Sequence, residues 1–331
     1  MRDLIKKAVE IKISTRKSAL ALAQTKQVQG LVEQKGFITK IIPVVTEGDV
    51  VQDRPLHDFG GKGLFIKSLE KSLLEKTSDI AVHSLKDMPV DILEDFSLNI
   101  FLPREHSGDL LLLRKETAEN FLFLNKNLFK KEDIKKIAAL NFATGSLRRS
   151  SLLKEVAPNI NIQPLRGNID TRVSKLLAGD FDVLILAQAG IKRLNLFHKN
   201  LVKIPLDPLW FTPSPGQGAI AIEHLRNYSF QNHLFFLNCD KTKRQVLVER
   251  LILKALGGSC FLPIGIHVKI ESSDLVCYVT VLSLQGASVR LCCSFPITLS
   301  NNKIIDEVIK KLVDNGVNDI LKDLSLPSID A

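Results

Sequence analysis

The stretch that decides the fold is DIAVHSLKDMP, from Asp79 to Pro89. A short apolar run leads into ionisable residues and stops at a proline, which is typical of a buried strand that delivers side chains to a sheet edge. Pro89 cannot donate to a strand ladder and biases Met88 towards an extended conformation, so Lys86 and Asp87 are expected on a fixed turn. Taken alone, the stretch favours an ordinary explanation, in which Asp87 closes a local turn and Lys86 faces water.

The composition restricts the class of protein. The chain has 331 residues, of which 45% are hydrophobic, and this is enough for two or three domains with separate cores. Its net charge is +9, from 45 Lys and Arg against 36 Asp and Glu, which indicates an anionic partner. Only 6% of residues are aromatic and no basic run is interleaved with stacking rings, so we expect no nucleic-acid binding.

The cysteines and the first residues bear on localisation. The five cysteines are an odd number without a CxxC pair or a His/Cys spacing suited to zinc, which favours reduced thiols and no metal site. The N-terminus lacks an apolar signal core, and no apolar run approaches the ~20 residues needed to cross a bilayer. We therefore expect a cytoplasmic protein that makes no membrane contact.

Strands and helices alternate in the first part of the chain, which predicts a mostly parallel sheet. The predicted elements are a strand over 10–14, a helix from Ala19 to about Lys35, a strand over 40–45, a polar lid-like segment up to Gly63, a helix from Leu64 to about Lys76, and the strand over 79–83.

A second α/β unit is predicted to begin near Pro103. Its predicted elements are a peripheral excursion over 121–136, strands over 136–142, 160–163 and 182–187, and helices over 150–156, 169–178 and 189–194. The proline-dense stretch 205–215 is interpreted as a crossing between units, after which a strand over 219–223 could return to the first unit.

The last part of the chain predicts a small α+β domain. It comprises a helix over 242–256, β-rich segments over 264–270, 275–284 and 288–295, and a helix from Lys303 to about Val313. The domain boundaries that follow are 1–103 with 217–236 for domain 1, 104–216 for domain 2, and 237–331 for domain 3.

Basic residues recur in the turns that follow predicted strands. They are Arg16, Lys86, Arg148, Arg149, Arg166, Arg172 and Arg193. Ligands of open α/β sheets bind outside the carboxyl ends of the strands, and the planar guanidinium matches carboxylate or phosphate oxygens in pairs. A single surface cation is usually just solvated, but the whole set indicates one anion-binding crevice.

Cys260 differs from the other cysteines in its local sequence. It follows a glycine pair and Ser259 at a predicted helix end, where a loop could expose a thiol. The alternative is a buried structural cysteine, which is the commoner role of any single thiol.

Taken together, these stretches resemble one known family, and they stand in its order. They are TRKS (15–18), GGKGLF (60–65), HSLKD (83–87), GSLRR (145–149), LRGN (165–168), PGQGA (215–219) and GSCFLPIG (258–265). The order and approximate spacing are similar to those of the porphobilinogen deaminase, or hydroxymethylbilane synthase, family over nearly the whole chain.

The resemblance implies a three-domain enzyme of tetrapyrrole (heme) biosynthesis, with two doubly wound domains like those of periplasmic binding proteins and a small α+β domain. This transferase would join four porphobilinogen molecules head to tail, releasing ammonia each time and finally hydroxymethylbilane. The resemblance also implies a dipyrromethane cofactor in a thioether to Cys260, catalysis by Asp87, and a monomer whose partners are porphobilinogen and the growing oligopyrrole.

The remaining site residues are carried over from the family in the same way. Implied to bind the cofactor are Ser18, Lys86, Thr144, Ser146, Arg148 and Arg149. Implied to bind substrate are Arg16, Lys62, Phe65, Arg166, Arg172, Arg193 and Gln217.

Two other classes of protein compete with this interpretation. A solute-binding module would share the first two domains, but it would need an export signal and would have no use for the third domain and its cysteine. A basic nucleic-acid-binding protein would carry its cations on an exposed face rather than at strand ends.

Overall fold

The computed structural model describes residues 10–45, 66–121, 127–229, 231–259 and 262–330. Its contacts divide the chain into two compact units, the first formed by residues 1–88, 92–103 and 220–243, and the second by 89–91, 104–219 and 244–331. The predicted separation of a third domain from the second stays a prediction, since the second unit holds both of their sheets.

The described elements alternate for most of the chain. The strands are β1 (Glu10–Arg16), β2 (Ile38–Val44), β3 (Ile80–Ser84), β4 (Phe96–Phe101), β5 (Asp109–Arg114), β6 (Phe142–Ala143), β7 (Ile162–Gln163), β8 (Val183–Ala187), β9 (Leu201–Pro205), β10 (Ile220–Leu225), β11 (Ile264–Glu271), β12 (Asp274–Leu282) and β13 (Ser288–Pro296). The α-helices are α1 (Ala19–Glu33), α2 (Lys67–Leu74), α3 (Lys115–Glu119), α4 (Leu147–Lys154), α5 (Ile169–Ala178), α6 (Gln188–Arg193), α7 (Gln231–Leu234), α8 (Asp240–Ala255), α9 (Asn301–Asp314) and α10 (Val317–Asp323).

The first unit is built on a five-stranded sheet in the order β2-β1-β3-β10-β4. Strand β1 runs parallel to β2 and β3, whereas β10 runs antiparallel to β3 and β4. One core packs Val28 of α1 against Ile80 and Val82 of β3, and another packs Leu69 of α2 against Ala81. Both faces of the sheet are therefore covered, and the predicted return of the strand near residue 220 to this unit is confirmed.

The second unit contains a sheet of the same kind, in the order β7-β6-β8-β5-β9, with β5 antiparallel to both neighbours. The prediction of a strand over 136–142 was wrong. Residues Lys131–Ile137 form a 3-10 helix, and only Phe142–Ala143 joins the sheet. Ile134 and Ile137 are both fully buried, and because they are three residues apart they lie on one side of a 3-10 helix.

A second sheet of this unit is the antiparallel meander β11-β12-β13. It packs against α8, α9 and α10 around one core, to which Ile252, Val279 and Val308 contribute. The predicted fold class is confirmed: two doubly wound α/β sheets and a small α+β sheet. Among the described residues, no helix is long and apolar enough to cross a membrane.

Candidate functional site

A pocket of the first unit opens where β1 and β3 end. Its polar lining consists of Arg16, Ser18, Gln24, His83, Ser84 and Asp87, and the last residues of the two strands are among them. Parallel strands bring their carboxyl ends to the same edge, so residues distant in sequence meet there. Arg16, Ser18 and Asp87 line this pocket together, and all three were predicted as site residues from the sequence.

The turn from β1 into α1 is fixed by its own hydroxyl groups. Ser18 is the N-cap of α1, and its side chain accepts a hydrogen bond from the Ala21 amide at 3.3 Å. The Thr15 hydroxyl donates to the Ala21 carbonyl at 3.3 Å. Serine is a preferred N-cap because its oxygen satisfies an amide that lacks a helical partner. This N-cap fixes the turn that holds Arg16 and Ser18 in the lining of the pocket.

Asp87 is held on a single turn directly after β3. Residues Leu85–Asp87 form a 3-10 helix, closed by the Met88 amide, which donates to the Leu85 carbonyl at 3.1 Å. Leu85 and Met88 are buried, whereas Asp87 is exposed and Lys86 half-buried. The two apolar anchors therefore hold the carboxylate at the rim of the pocket, as the predicted fixed turn requires.

Three polar residues of the pocket had been given no role from the sequence, namely Gln24, His83 and Ser84. Gln24 exchanges hydrogen bonds with the Ser84 hydroxyl at 2.8 and 3.0 Å, and this links α1 to the end of β3. His83 contacts Glu223 of β10, which is 140 residues away in sequence. The available signal was a histidine within a strand whose other residues are apolar until its last, but its partner was not visible in the local sequence.

A second cluster, in the second unit, centres on Asp109 at the start of β5. Its two carboxylate oxygens accept hydrogen bonds from Arg148 and Arg149, each at 2.8 Å. All three side chains are buried, with Asp109 only 1% exposed. Gln217 also donates to Asp109 at 3.0 Å. The structure thus brings three predicted ligand-binding residues together around an acid that sequence reasoning missed.

Charge in this cluster is unbalanced. Burial alone would raise the pKa of Asp109, but the guanidiniums of Arg149 and Arg148 hold that pKa well below its usual value. An ionised Asp109 neutralises only one of the two arginines, which leaves one positive charge. In the described part of the chain, the Nε atoms of Arg149 and Arg193 are buried without a hydrogen-bond acceptor. Excess charge and orphaned donors suit a ligand rich in carboxylates.

Most of the other predicted residues of this unit lie at strand ends or helix starts, whereas Arg193 is the last residue of α6. Ser146 is the N-cap of α4 and accepts from the Arg149 amide at 3.4 Å, while its own amide donates to the Thr144 hydroxyl at 3.2 Å. Arg193 donates to the Gly218 carbonyl at 2.7 Å, and Arg172 donates to the Gly167 carbonyl at 2.8 Å.

Arg166 follows the buried Leu165 and is half-buried. Asn168, just beyond it, caps α5 by accepting from the Thr171 amide at 2.9 Å. The structure thus places Arg166 in the turn between β7 and α5, which is the position that the sequence pattern predicts for it.

Three predicted site residues, Lys62, Phe65 and Cys260, lie outside the described residues, as does the predicted lid-like segment. The elements that flank Cys260 are described. Gly257, in the left-handed conformation at φ +63°, follows α8, and the Leu262 amide donates to the Ser259 carbonyl at 3.1 Å just before β11. Within the described ranges, no group of three or more His, Cys, Asp or Glu side chains could hold a metal ion.

Comparison with solved structures finds fold similarity at low sequence identity. A full-length BenM mutant gives a TM-score of 0.43 at 12% identity, over 78% of this chain and 71% of that chain. An amino acid ABC transporter substrate-binding protein from Streptococcus pneumoniae gives a TM-score of 0.39 at 15% identity, over 75% of this chain and 89% of that chain.

Comparison of sequences is more specific. A family model described as "Porphobilinogen deaminase, dipyromethane cofactor binding domain" matches residues 11–231. A porphobilinogen deaminase of Campylobacter curvus is 38% identical over 267 residues, which cover 80% of this chain and 81% of the relative. One of Maridesulfovibrio salexigens is 37% identical over 283 residues, which cover 84% and 86%. The chain therefore belongs to the porphobilinogen deaminase family.

Proposed function

We propose that this protein is a hydroxymethylbilane synthase, which joins four porphobilinogen molecules head to tail and releases one ammonia for each. The observation that carries the proposal is the pocket of the first unit, where Asp87 shares the lining with Arg16 and Ser18. A carboxylate and a guanidinium at adjacent strand ends are what a substrate with a cationic reacting centre and anionic side chains needs.

Asp87 would act on the reacting pyrrole. When porphobilinogen loses its amine, positive charge develops on the ring and its nitrogen, and a fixed carboxylate stabilises that charge. The same carboxylate can pass a proton to the departing ammonia and remove one from the ring carbon after coupling. Its exposed position on a rigid turn supports both tasks, because the group can meet the substrate without rearrangement.

The arginines would hold the acetate and propionate groups that each pyrrole carries. In the first unit Arg16 and Lys86 would take this role. In the second unit it would fall to arginines with Thr144, Ser146 and Gln217 as polar partners, and these arginines are Arg148, Arg149, Arg166, Arg172 and Arg193. Support comes from the excess positive charge around Asp109 and from the buried Nε donors of Arg149 and Arg193. These features fit a cofactor with several carboxylates.

We assign covalent attachment of the dipyrromethane to the Cys260 thiol. When bound, the group supplies the pyrrole carbon to which the first porphobilinogen is joined. The described flanks support the assignment, because the left-handed Gly257 follows α8 shortly before Cys260 and β11 begins shortly after it. Lys62 and Phe65 are assigned to substrate binding on the family match alone.

Domain organisation and setting complete the proposal. We place the boundaries at 1–103 with 217–236, 104–216 and 237–331, and we propose a cytoplasmic monomer. The odd number of cysteines without paired spacing supports a reducing compartment. Gel filtration with light scattering would test the oligomeric state, and a mass of twice the polypeptide would refute a monomer.

One preparation tests activity and cofactor together. Purified protein is incubated with porphobilinogen, and the loss of substrate is followed with an acidic aldehyde reagent while ammonia is measured. Its intact mass is expected to exceed that of the polypeptide by one dipyrromethane. Cys260→Ala should lack the added mass and the activity, whereas the exposed Cys292 offers a matched control, Cys292→Ala, that should keep both. Active protein with the bare polypeptide mass would refute the cofactor assignment.

A further inference from the structure

Cys277 of β12 and Cys293 of β13 face each other across two antiparallel strands. The register of the meander makes them direct partners in the strand ladder, so their side chains project from the same face of the sheet. That face is the buried one, since Cys277 is 0% and Cys293 8% exposed, and both belong to the core that the sheet forms with α8, α9 and α10. Both are free thiols.

The spacing of the two strands suits a covalent bond between these thiols. The pairs on either side in the ladder are apolar, with Leu275 opposite Phe295 and Val279 opposite Leu291. One cysteine at such a position can be a small hydrophobic residue. Two that are direct partners also fit a disulfide. Opposite residues of antiparallel strands have Cα atoms about 4.5–5.5 Å apart, within the range of about 4.4–6.8 Å that a disulfide spans.

The edge of the sheet gives a small oxidant access to one of the two thiols. Strand β13 is an outer strand of the meander, whereas β12 lies between β11 and β13. Cys293, on the outer strand, keeps a small exposed fraction, and Cys277, on the central strand, is closed to solvent. An oxidant therefore meets Cys293 first.

The surroundings also make Cys293 the more acidic thiol of the pair. Lys311 of α9 lies beside it, with Nζ 5.7 Å from the centre of the Phe295 ring, two residues along the same face from Cys293. Hydrogen bonding with Cys277 lowers the pKa of Cys293, burial opposes this change, and Lys311 lowers the pKa further. The same hydrogen bond, followed by burial, raises the pKa of Cys277. Because the thiolate is the nucleophilic form, Cys293 is suited to attack an oxidant and Cys277 to resolve the product.

We propose that Cys293 and Cys277 form a redox modification site, which hydrogen peroxide converts into an intramolecular disulfide between β12 and β13. In the first step the Cys293 sulfur attacks one peroxide oxygen and the O–O bond breaks. The leaving oxygen keeps the bonding electrons and takes the Cys293 thiol proton, which gives water and a sulfenic acid on Cys293.

In the second step the Cys277 sulfur attacks the Cys293 sulfur. The S–O bond breaks, and the hydroxyl group leaves with the Cys277 thiol proton as a second water. Two thiols are oxidised and one peroxide is reduced to two waters. A dithiol reductant reverses the modification. The inference stands apart from the proposed function, since it uses neither the pocket nor the arginine cluster.

The neighbouring Cys292 provides the matched control. It is exposed and lies opposite Tyr278, on the other face of the sheet, because successive residues of a strand point to opposite sides. Exposure alone would make Cys292 the reactive thiol. The proposed site instead requires the less exposed pair to react with each other.

The test treats the native full-length protein with a small excess of hydrogen peroxide. The remaining thiols are then blocked with iodoacetamide under denaturing conditions, and the peptides are mapped by mass spectrometry. We expect a mass lower by two hydrogen atoms, a peptide pair joined through Cys277 and Cys293, and return of both thiols after dithiothreitol. This measurement needs no substitution, so it decides the question even where a core variant fails to fold.

Alanine variants then test the order of the two steps. Cys277→Ala should stop at a sulfenic acid on Cys293, which dimedone captures, because the resolving thiol is missing. Cys293→Ala should leave Cys277 unmodified, and Cys292→Ala should form the disulfide like wild type. The proposal is overturned if peroxide oxidises Cys292 while Cys277 and Cys293 stay thiols, if the link forms only in urea, or if it joins two chains.

Discussion

Asp109 and Arg149 form an ion pair inside the second unit, with Asp109 Oδ1 2.8 Å from a terminal guanidinium nitrogen. Arg148 binds the other oxygen of the same carboxylate at 2.8 Å. Removing one partner from a buried ion pair leaves an uncompensated charge. Asp109→Asn is therefore expected to lower the free energy of unfolding by about 3–5 kcal/mol, because two buried guanidiniums would lose their counterion.

Urea unfolding of Asp109→Asn would measure this loss. Asp180→Asn is the matched control, since Asp180 is exposed in the same unit, and it should change stability little. A variant of Asp109 as stable as the control would show that the two arginines do not depend on this carboxylate.

The sequence analysis assigned Arg149 and Arg166 to the same anion-binding set, but their surroundings in the structure differ. Arg149 is buried and paired, whereas Arg166 is half-buried and sits in an open turn. Arg166→Leu should reduce chain elongation with little change in melting temperature. Arg149→Leu should lower both the rate of chain elongation and the melting temperature, because it also removes one of the two arginines that bind Asp109. Thermal unfolding and porphobilinogen consumption should be measured on both variants. An equal loss of stability in the two variants would contradict a structural role that Arg149 has and Arg166 lacks.

How much of this arrangement was predictable depends on the range of the interactions. Strands β1 and β3 and helix α1 follow from alternation, a proline stop and an N-cap, all of which are local. Strand β5 was missed because Leu110 to Leu113 are buried without alternation, as in a strand covered on both faces. Its first residue, Asp109, meets Arg149 from 40 positions away, and His83 meets Glu223 from 140. Such pairs depend on the order of strands in the sheet, which local patterns do not contain.

The surroundings of Glu249 in α8 predict how the free energy of unfolding responds to acid. Burial alone would raise its pKa, but Arg104, which binds both carboxylate oxygens at 2.7 and 3.0 Å, and then His267, lower that pKa to about 2. The amides of Gly216 and Val268 add hydrogen bonds at 2.7 and 2.8 Å.

Because the folded-state pKa lies below the unfolded value of 4.5, the stabilisation from Glu249 is present above that pH and is lost as pH falls towards 2. The slope of unfolding free energy against pH between about 5 and 3 should be shallower in Glu249→Gln than in wild type. The exposed Glu307 provides the control, Glu307→Gln, which should keep the wild-type slope. Parallel slopes in all three proteins would contradict the role of Glu249.

Asp87→Asn tests the charge at the pocket with almost no change of shape. We expect kcat to fall about 10²–10³-fold, since one fixed electrostatic group would be lost, while the fold and the covalent cofactor are kept. Turnover, intact mass and melting temperature should be recorded together. Asp95→Asn, an exposed acid of the same unit, should behave as wild type. Near-normal turnover of Asp87→Asn would refute its catalytic role.

Two glycines should respond to alanine in opposite directions. Gly218 has φ +89°, and a Cβ there would lie 2.3 Å from the Glu105 carbonyl oxygen, so the backbone itself would have to move. Gly30 lies inside α1 with nothing within 4 Å of its added Cβ. Gly218→Ala should lower the unfolding free energy by about 1–3 kcal/mol, whereas Gly30→Ala should raise it by about 0.5–1 kcal/mol through helix propensity. Urea unfolding of both variants checks the signs, and stabilisation by Gly218→Ala would show that the close approach to Glu105 relaxes without cost.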